Sequence, residues 1–155
     1  MPNSAEAGTK KEGKIRSTMR TTGVLESCLY ATDLTAVEQF YTDVIGLELI
    51  SREQGRHVFF RCGESVVLIF NPEHTSTQQT QVGDAKIPLH GARGAGHLAF
   101  RIAEEELPGW RQHLDKNDVE IESEVSWPNG AQSIYFRDPA GNSIELVSPR
   151  LWGLG

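Results

Sequence analysis

Glu145 stands inside the apolar run Ile144-Glu145-Leu146-Val147, which reads as a β-strand. A carboxylate within a sheet is costly unless a partner or a cation offsets its burial. Either the strand is half exposed and Glu145 faces water, or the fold holds a cation there. Glu26 in "VLESCLYA" and His97 in "HLAFRI" raise the same question, since both runs alternate as strands do. Alternate residues of a strand share a face. By that parity Glu26 lies with Cys28 and Tyr30, His97 with Ala99 and Arg101, and Glu145 with Val147. The opposite faces (Leu25, Leu29, Ala31; Leu98, Phe100, Ile102; Ile144, Leu146) are apolar and are natural seats for helices. If the strands belong to one curved sheet, the first set of faces lines a cleft where Glu26, His97 and Glu145 converge. Tyr30 and Arg101 share those faces and are candidate substrate contacts, Arg101 for an anionic group. Alone near a strand end, Arg101 reads equally as a solvated surface arginine.

The surrounding elements decide whether these side chains can meet. After a first strand at 24–31, Val37, Phe40, Tyr41, Val44 and Ile45 recur at the spacing of one helix face. Thr35 and Glu38 have the spacing of a capping box, and Gly46 stands where such a helix would stop. Three short strands are expected next, at 47–53, 57–62 and 65–71, divided by turns at Gly55 and Gly63. The second half repeats the plan. A strand at 97–102 precedes a helix over 104–116 with Leu107, Trp110 and Leu114 on one face. Glu104, Glu105 and Glu106 suit the positive end of its dipole. Strands at 119–125, 133–138 and 143–148 follow. The chain is therefore βαβββ twice, at an offset of about seventy residues, and an internal repeat of this kind decides the architecture. The expected class is α+β. One domain spans 23–150, with module 1 at 23–71, a polar Gly-rich linker at 72–95 and module 2 at 96–148; residues 149–155 form a tail. A linker this long is either mobile or functional.

Bulk properties narrow the function classes. The 155 residues fit one domain with a real core, and 38% hydrophobic with 23% charged residues is ordinary for a globular protein. Residues 1–20 carry a balance of +3 and the whole chain −6, so residues 21–155 carry −9. That argues against nucleic acid as a partner of the body. Residues 1–22 are expected to form a disordered basic arm, being basic and nearly free of apolar residues. It lacks the apolar core of a signal peptide, and no stretch has the length of a membrane span. Two cysteines, Cys28 and Cys62, make no disulfide framework and are expected to be buried free thiols. A cytoplasmic protein is the expectation.

The same residues carry a family resemblance. "ESCLYATDLTAVEQFYTDVIGLEL", "GHLAFRI" and "YFRDPAGNSIELV" resemble the vicinal oxygen chelate superfamily of glyoxalase, bleomycin-resistance and extradiol-dioxygenase proteins. With the strands between, the likeness covers residues 23–71 and 96–148, about two thirds of the chain. It implies two βαβββ modules in a U-shaped, eight-stranded mixed sheet around a divalent metal ion, with helices on the outer face. The family's first ligand position, usually a His, falls on Glu26; the third falls on His97 and the fourth on Glu145. The second falls on Val67, which has no donor atom and is assigned to the substrate's surroundings. Tyr135, ten residues before Glu145, occupies the place of a tyrosine that hydrogen-bonds substrate in related enzymes. It is thus a candidate catalytic donor or proton relay, with plain packing an equal reading. The cleft forms within one chain in some relatives and across a swapped homodimer in others, and both arrangements stay open.

Two carboxylates and one neutral imidazole balance a divalent cation. The set suits Mn²⁺, Fe²⁺, Ni²⁺, Co²⁺ or Zn²⁺, with ligand distances of about 2.0–2.2 Å. Remaining positions can take two vicinal oxygens of a diol, hydroxy-carbonyl or enediolate, on which the ion acts as a Lewis acid. The implied function is a metal-dependent enzyme acting on such a small molecule, with lyase or isomerase, dioxygenase and conjugating reactions all open. The alternative is a metal-free small-molecule- or antibiotic-binding protein of the bleomycin-resistance kind. Singly, Glu26 and Glu145 read as paired or half-exposed glutamates, and His97 as a satisfied histidine near a turn. His57, His74, His90 and His113 read as surface or loop residues, Trp110 as core, and Trp127-Pro128 as a strand end walling a cleft. Leu151 and Trp152 are expected to be exposed, at a dimer contact.

Overall fold

The structure, a computed structural model, describes residues 18–155; residues 1–17 of the expected basic arm lie outside them. Module 1 contains β1 (Glu26–Tyr30), α1 (Leu34–Asp43), β2 (Glu48–Glu53), β3 (His57–Cys62) and β4 (Ser65–Phe70). The segment that follows holds α2 (Pro72–Thr75) and a small hairpin of β5 (Gln81–Val82) and β6 (Ala85–Lys86). Module 2 contains β7 (His97–Arg101), α3 (Leu107–Lys116), β8 (Ser123–Ser126), β9 (Gln132–Arg137) and β10 (Ser143–Val147). The expected linker is therefore partly built rather than featureless. Asn71 starts α2 by accepting a hydrogen bond from the Glu73 amide at 3.1 Å.

The α+β class and the tandem βαβββ order are as expected. The sheet, however, is not one eight-stranded surface. Two four-stranded sheets form, in the orders β1-β4-β3-β2 and β7-β10-β9-β8. In each, the first pair is parallel and the others antiparallel. Strands β1 and β7 are both edges. A groove of about 810 Å³ lined by Leu25, Ser27, Cys62, Val67, Leu98 and Arg101 runs along them.

Helix α1 packs on both sheets. Val37 and Tyr41 are fully buried, and the Tyr41 ring lies 5.7 Å from Phe60 and 6.4 Å from Phe100, while Phe40 lies 6.2 Å from Phe136. Each such buried side chain stabilises by about 1.5–3 kcal/mol. One apolar core thus runs through both modules, from Leu29, Val67 and Ile69 to Ile134, Ile144 and Leu146. His113 on α3 ties the modules further through its Nε2 and the Val44 carbonyl at 2.9 Å. The helix start differs from the capping-box expectation. Asp33 caps α1, its Oδ1 accepting from the Ala36 amide at 3.1 Å, while Glu38 pairs with Arg52 at 3.1 Å. Gly46 ends the turn that follows, at φ +82. Glu104–Glu106 form a 3₁₀ turn ahead of α3, and β8 starts at Ser123 because Val119 and Ile121 pack on the core outside the ladder.

A polar knot joins the modules at "RDPAGN". The Asp138 carboxylate, buried, accepts from Tyr41 Oη at 2.8 Å, the Ala140 and Asn142 amides at 3.0 and 2.8 Å, and Asn142 Nδ2 at 2.9 Å. Asn142 in turn donates to the Tyr30 carbonyl and accepts from the Gly96 amide at 2.8 Å. A Cβ on Gly96 would meet Leu29 at 3.0 Å and Asn142 at 3.3 Å, so a larger residue would press on both side chains where β1 and β7 approach.

Candidate metal centre

Strand register places β7, β9 and β10 so that one face of module 2 gathers the candidate chemistry. His97 is paired with Ser143, and Glu145 lies between Ala99 and Tyr135. His97 Nε2 stands 3.3 Å from Glu145 Oε2. The other ring nitrogen, Nδ1, is 3.0 Å from the Ser143 carbonyl, which can only accept, so Nδ1 carries the proton. Nε2 then faces the carboxylate with its lone pair, and two lone pairs at that separation call for a positive charge between them. A proton or a divalent cation meets the need. For a cation, N and O donors of this type and spacing fit ligand distances of about 2.0–2.2 Å.

The remaining contacts hold Glu145 in place. It is 5% exposed, its Oε1 accepting from Ser133 Oγ at 2.5 Å; Ser133 accepts in turn from Trp127 Nε1 at 2.8 Å. Tyr135 stacks with His97 at 6.2 Å between ring centroids. Burial, then its interaction with Glu145, pushes the Tyr135 phenol above its ordinary value, against a smaller opposing pull from Ser133. The phenol therefore keeps its proton, which it holds toward Glu145.

Glu26 does not join this pair within the chain. It is exposed on β1, on the face of sheet 1 turned away from the shared core, and among the described residues no three His, Cys, Asp or Glu are grouped to hold a metal ion. Of the two arrangements left open, convergence of the three within one chain is not seen: parity put each residue on the right face, but the apolar faces share one core. Val67 is corrected. It pairs with Ser27 and Phe60 and points into the core at 3% exposure. The counterpart of Glu145 in module 1 is Leu68, which lies opposite Cys28 as Glu145 lies opposite Ala99.

Tyr30 lies on the face of Glu26, and its hydroxyl meets His90 Nδ1 at 2.7 Å. Burial chiefly, with Cys28 adding, pushes that phenol up to about 12. Arg101 is exposed at the end of β7, beside Val147. Cys28 and Cys62 are free as expected, but Cys28 is exposed and Cys62 half-buried. Of the four other histidines, expected as surface or loop residues, only His57 is buried, and His90 does lie in the loop ahead of β7. His57 is 6% exposed and stacks on Phe59 at 3.8 Å, His90 bonds Tyr30, His113 bonds Val44, and His74 Nδ1 is buried on α2. Trp110 is half-buried against the core, and Trp152 is exposed. Ser133 was missed from sequence, although it shares the parity of Tyr135. No helix among the described residues is long and apolar enough to cross a membrane.

Tandem βαβββ modules, each a four-stranded mixed sheet whose first pair is parallel, define the α+β class of the protein. The sequence profile of the glyoxalase/bleomycin resistance protein/dioxygenase superfamily matches residues 21–146, and the chain belongs to that superfamily. It is similar to a crystal structure of lactoylglutathione lyase from Agrobacterium tumefaciens, with 39% identity, 88% of this chain and 100% of that one covered, and a TM-score of 0.81. It is 30% identical over 130 residues to the metallothiol transferase FosB of Staphylococcus epidermidis, covering 83% of this chain and 82% of the relative. The fold also matches the FosX fosfomycin resistance protein of Listeria monocytogenes, crystallised as a point mutant with Mn(II) and 1S,2S-dihydroxypropylphosphonic acid. There the identity is 23%, with 83% of this chain and 91% of that one covered and a TM-score of 0.62.

Proposed function

We propose that this protein is a divalent-metal-dependent enzyme acting on a small molecule with two vicinal oxygens. His97 and Glu145 of one protomer would hold the ion together with the partner's Glu26. The observation that carries the reading is the 3.3 Å approach of His97 Nε2 and Glu145 Oε2, with Nδ1 and Oε1 already committed elsewhere. The partner's Glu26 enters because this chain's own Glu26 is exposed and apart from the pair, on an edge strand open to a second copy. A bound divalent ion supplies Lewis acidity toward the substrate's oxygens. The chain's own part is to orient and to hold protons. Ser143 fixes the tautomer of His97, Ser133 fixes the rotamer of Glu145, and Tyr135 keeps a phenolic proton to donate to a substrate oxygen. The names of the relatives, a metallothiol transferase and a lactoylglutathione lyase, support the conjugating and lyase branches. Mn, Fe, Ni, Co and Zn all suit the donors. Two free cysteines suit a cytoplasmic location.

Metal analysis of untagged protein purified without chelator tests the proposal. Stoichiometric metal is expected, lost in Glu145→Ala and in Glu26→Ala. Mixing those two variants under exchange conditions restores one intact site per heterodimer if the ligands come from two chains. No metal, with thermal stability unchanged in EDTA, would leave the metal-free binding protein as the reading.

A further inference from the structure

We infer that Trp127 and Ser133 are positioning residues that restrict Glu145 to a single metal-binding oxygen. This rests on the metal reading above and deepens it. A serine hydroxyl is ordinarily a free rotor whose proton direction is ambiguous. Here it is determined. An indole N–H can only donate, so at 2.8 Å Trp127 Nε1 occupies a lone pair of Ser133 Oγ. The single hydroxyl proton of Ser133 then goes to its other close partner, Glu145 Oε1, at 2.5 Å. Tyr135 also interacts with Ser133, but the 2.5 Å contact directs the hydroxyl proton to Glu145, so the direction runs Trp127 to Ser133 to Glu145.

Ser133 is 1% exposed, so water does not compete for that proton. Trp127 is itself fixed by a tight turn. Its amide donates to the Ala131 carbonyl at 2.8 Å and its carbonyl accepts from the Gly130 amide at 2.9 Å. Asn129 in the same turn donates to the Arg150 and Leu151 carbonyls, which anchors it to the C-terminal segment. The consequence is chemical. The short bond to Ser133 turns Oε1 away and aims Oε2 at His97 Nε2. Glu145 would therefore offer a cation Oε2 beside His97 Nε2, with Oε1 held back by Ser133.

The test is Mn²⁺ binding to the full, untagged chain, read from free-ion electron paramagnetic resonance, with thermal stability measured in parallel. Ser133→Ala is expected to weaken Mn²⁺ about 10–100-fold, the range for ligand-orienting partners. Trp127→Phe, which keeps the ring and removes the donor, is expected to weaken it about three- to tenfold. Ser133→Thr, which retains the hydroxyl, restores affinity. A role in folding alone would lower stability without this ordering or rescue. If Trp127→Phe and Ser133→Ala bind Mn²⁺ as the wild type does while Glu145→Ala does not, the positioning role is wrong and the metal site stands. If the wild type binds no Mn²⁺, or Glu145→Ala binds it equally well, the metal reading has failed and the positioning role falls with it.

Discussion

Aligned through their strand registers, module 1 carries Glu26, Leu68, Phe59 and His57 where module 2 carries His97, Glu145, Tyr135 and Ser133. The backbone is the same in both; the exposed face is not. In module 2 that face is a hydrogen-bonded cluster around a buried carboxylate. In module 1 it is an aromatic wall, with His57 stacked on Phe59, Phe59 edge-on to Phe70 at 5.1 Å, and His90 against Phe70 at 4.7 Å. Arg56 lies 5.5 Å over the Phe70 ring and closes the wall. The core residues behind both faces are apolar throughout, so folding constrains them far more than it constrains the faces. Duplicated scaffolds keep their cores and are free to diverge where chemistry is exposed. In the proposed dimer the two faces are complementary. One brings donors, the other a shaped apolar boundary and a single carboxylate.

The largest effect expected is a difference between paired substitutions at Leu68 and Glu145. Glu145→Ala should abolish stoichiometric metal. Leu68→Ala, at the matching position, should leave the metal in place and cost about 1–2 kcal/mol in a denaturant melt. Loss of metal in both variants would show that the faces are not chemically distinct.

The element order was legible because helix and strand periods are strong in α1, β3, β7 and β10. The phase of β4 was not. Ser65–Phe70 is apolar on both faces, so alternation carries no mark of which residues point inward, and Val67, assigned to the substrate's surroundings, packs in the core. His97 and Glu145 were legible as a pair, since parallel strands in register bring their shared face together. The position of Glu26 was not, because parity names a face and says nothing of how two sheets share a core. The burial of His57 was hidden for a related reason. It rests on stacking against Phe59 and on hydrogen bonds, neither of which leaves a hydrophobic pattern. The β5–β6 hairpin is too short to show any period.

Next in size are two probes of the joint between the modules. Asn142→Ala removes an amide that satisfies Gly96, Tyr30 and Asp138 at once, and should cost about 2–4 kcal/mol. Tyr41→Phe removes one of four donors to Asp138 and should cost about 1–2 kcal/mol. Tyr135→Phe, at the more open face of module 2, should change stability by less than about 0.5 kcal/mol. Equilibrium unfolding of the three variants gives the order. A Tyr135 cost equal to that of Tyr41 would mean that its phenol is structural rather than held for substrate.

The smallest effect separates the modules by the tautomers of their histidines. Arg56 can only donate, and its NH1 lies 2.6 Å from His57 Nδ1, so that nitrogen accepts. Nε2 then carries the proton and donates to Ser51 Oγ at 3.0 Å. His97 has the reverse arrangement, with its proton on Nδ1. Burial lowers the His57 pKa first and the Arg56 charge lowers it next; Glu53 opposes and His74 adds to the lowering. The folded chain therefore binds this proton less readily than the unfolded chain. Its contribution to stability is present above the unfolded value of about 6.5 and is lost as pH falls through that value toward the lower folded one. Nitrogen-resolved NMR of the imidazoles should show His57 as the Nε2–H tautomer, staying neutral to a lower pH than an unperturbed histidine. His57→Phe should flatten the acid limb of the stability profile while leaving metal binding intact. An Nδ1–H tautomer at His57, or an ordinary titration, would mean that Arg56 does not hold that ring, and the aromatic wall of module 1 would lose its most ordered member.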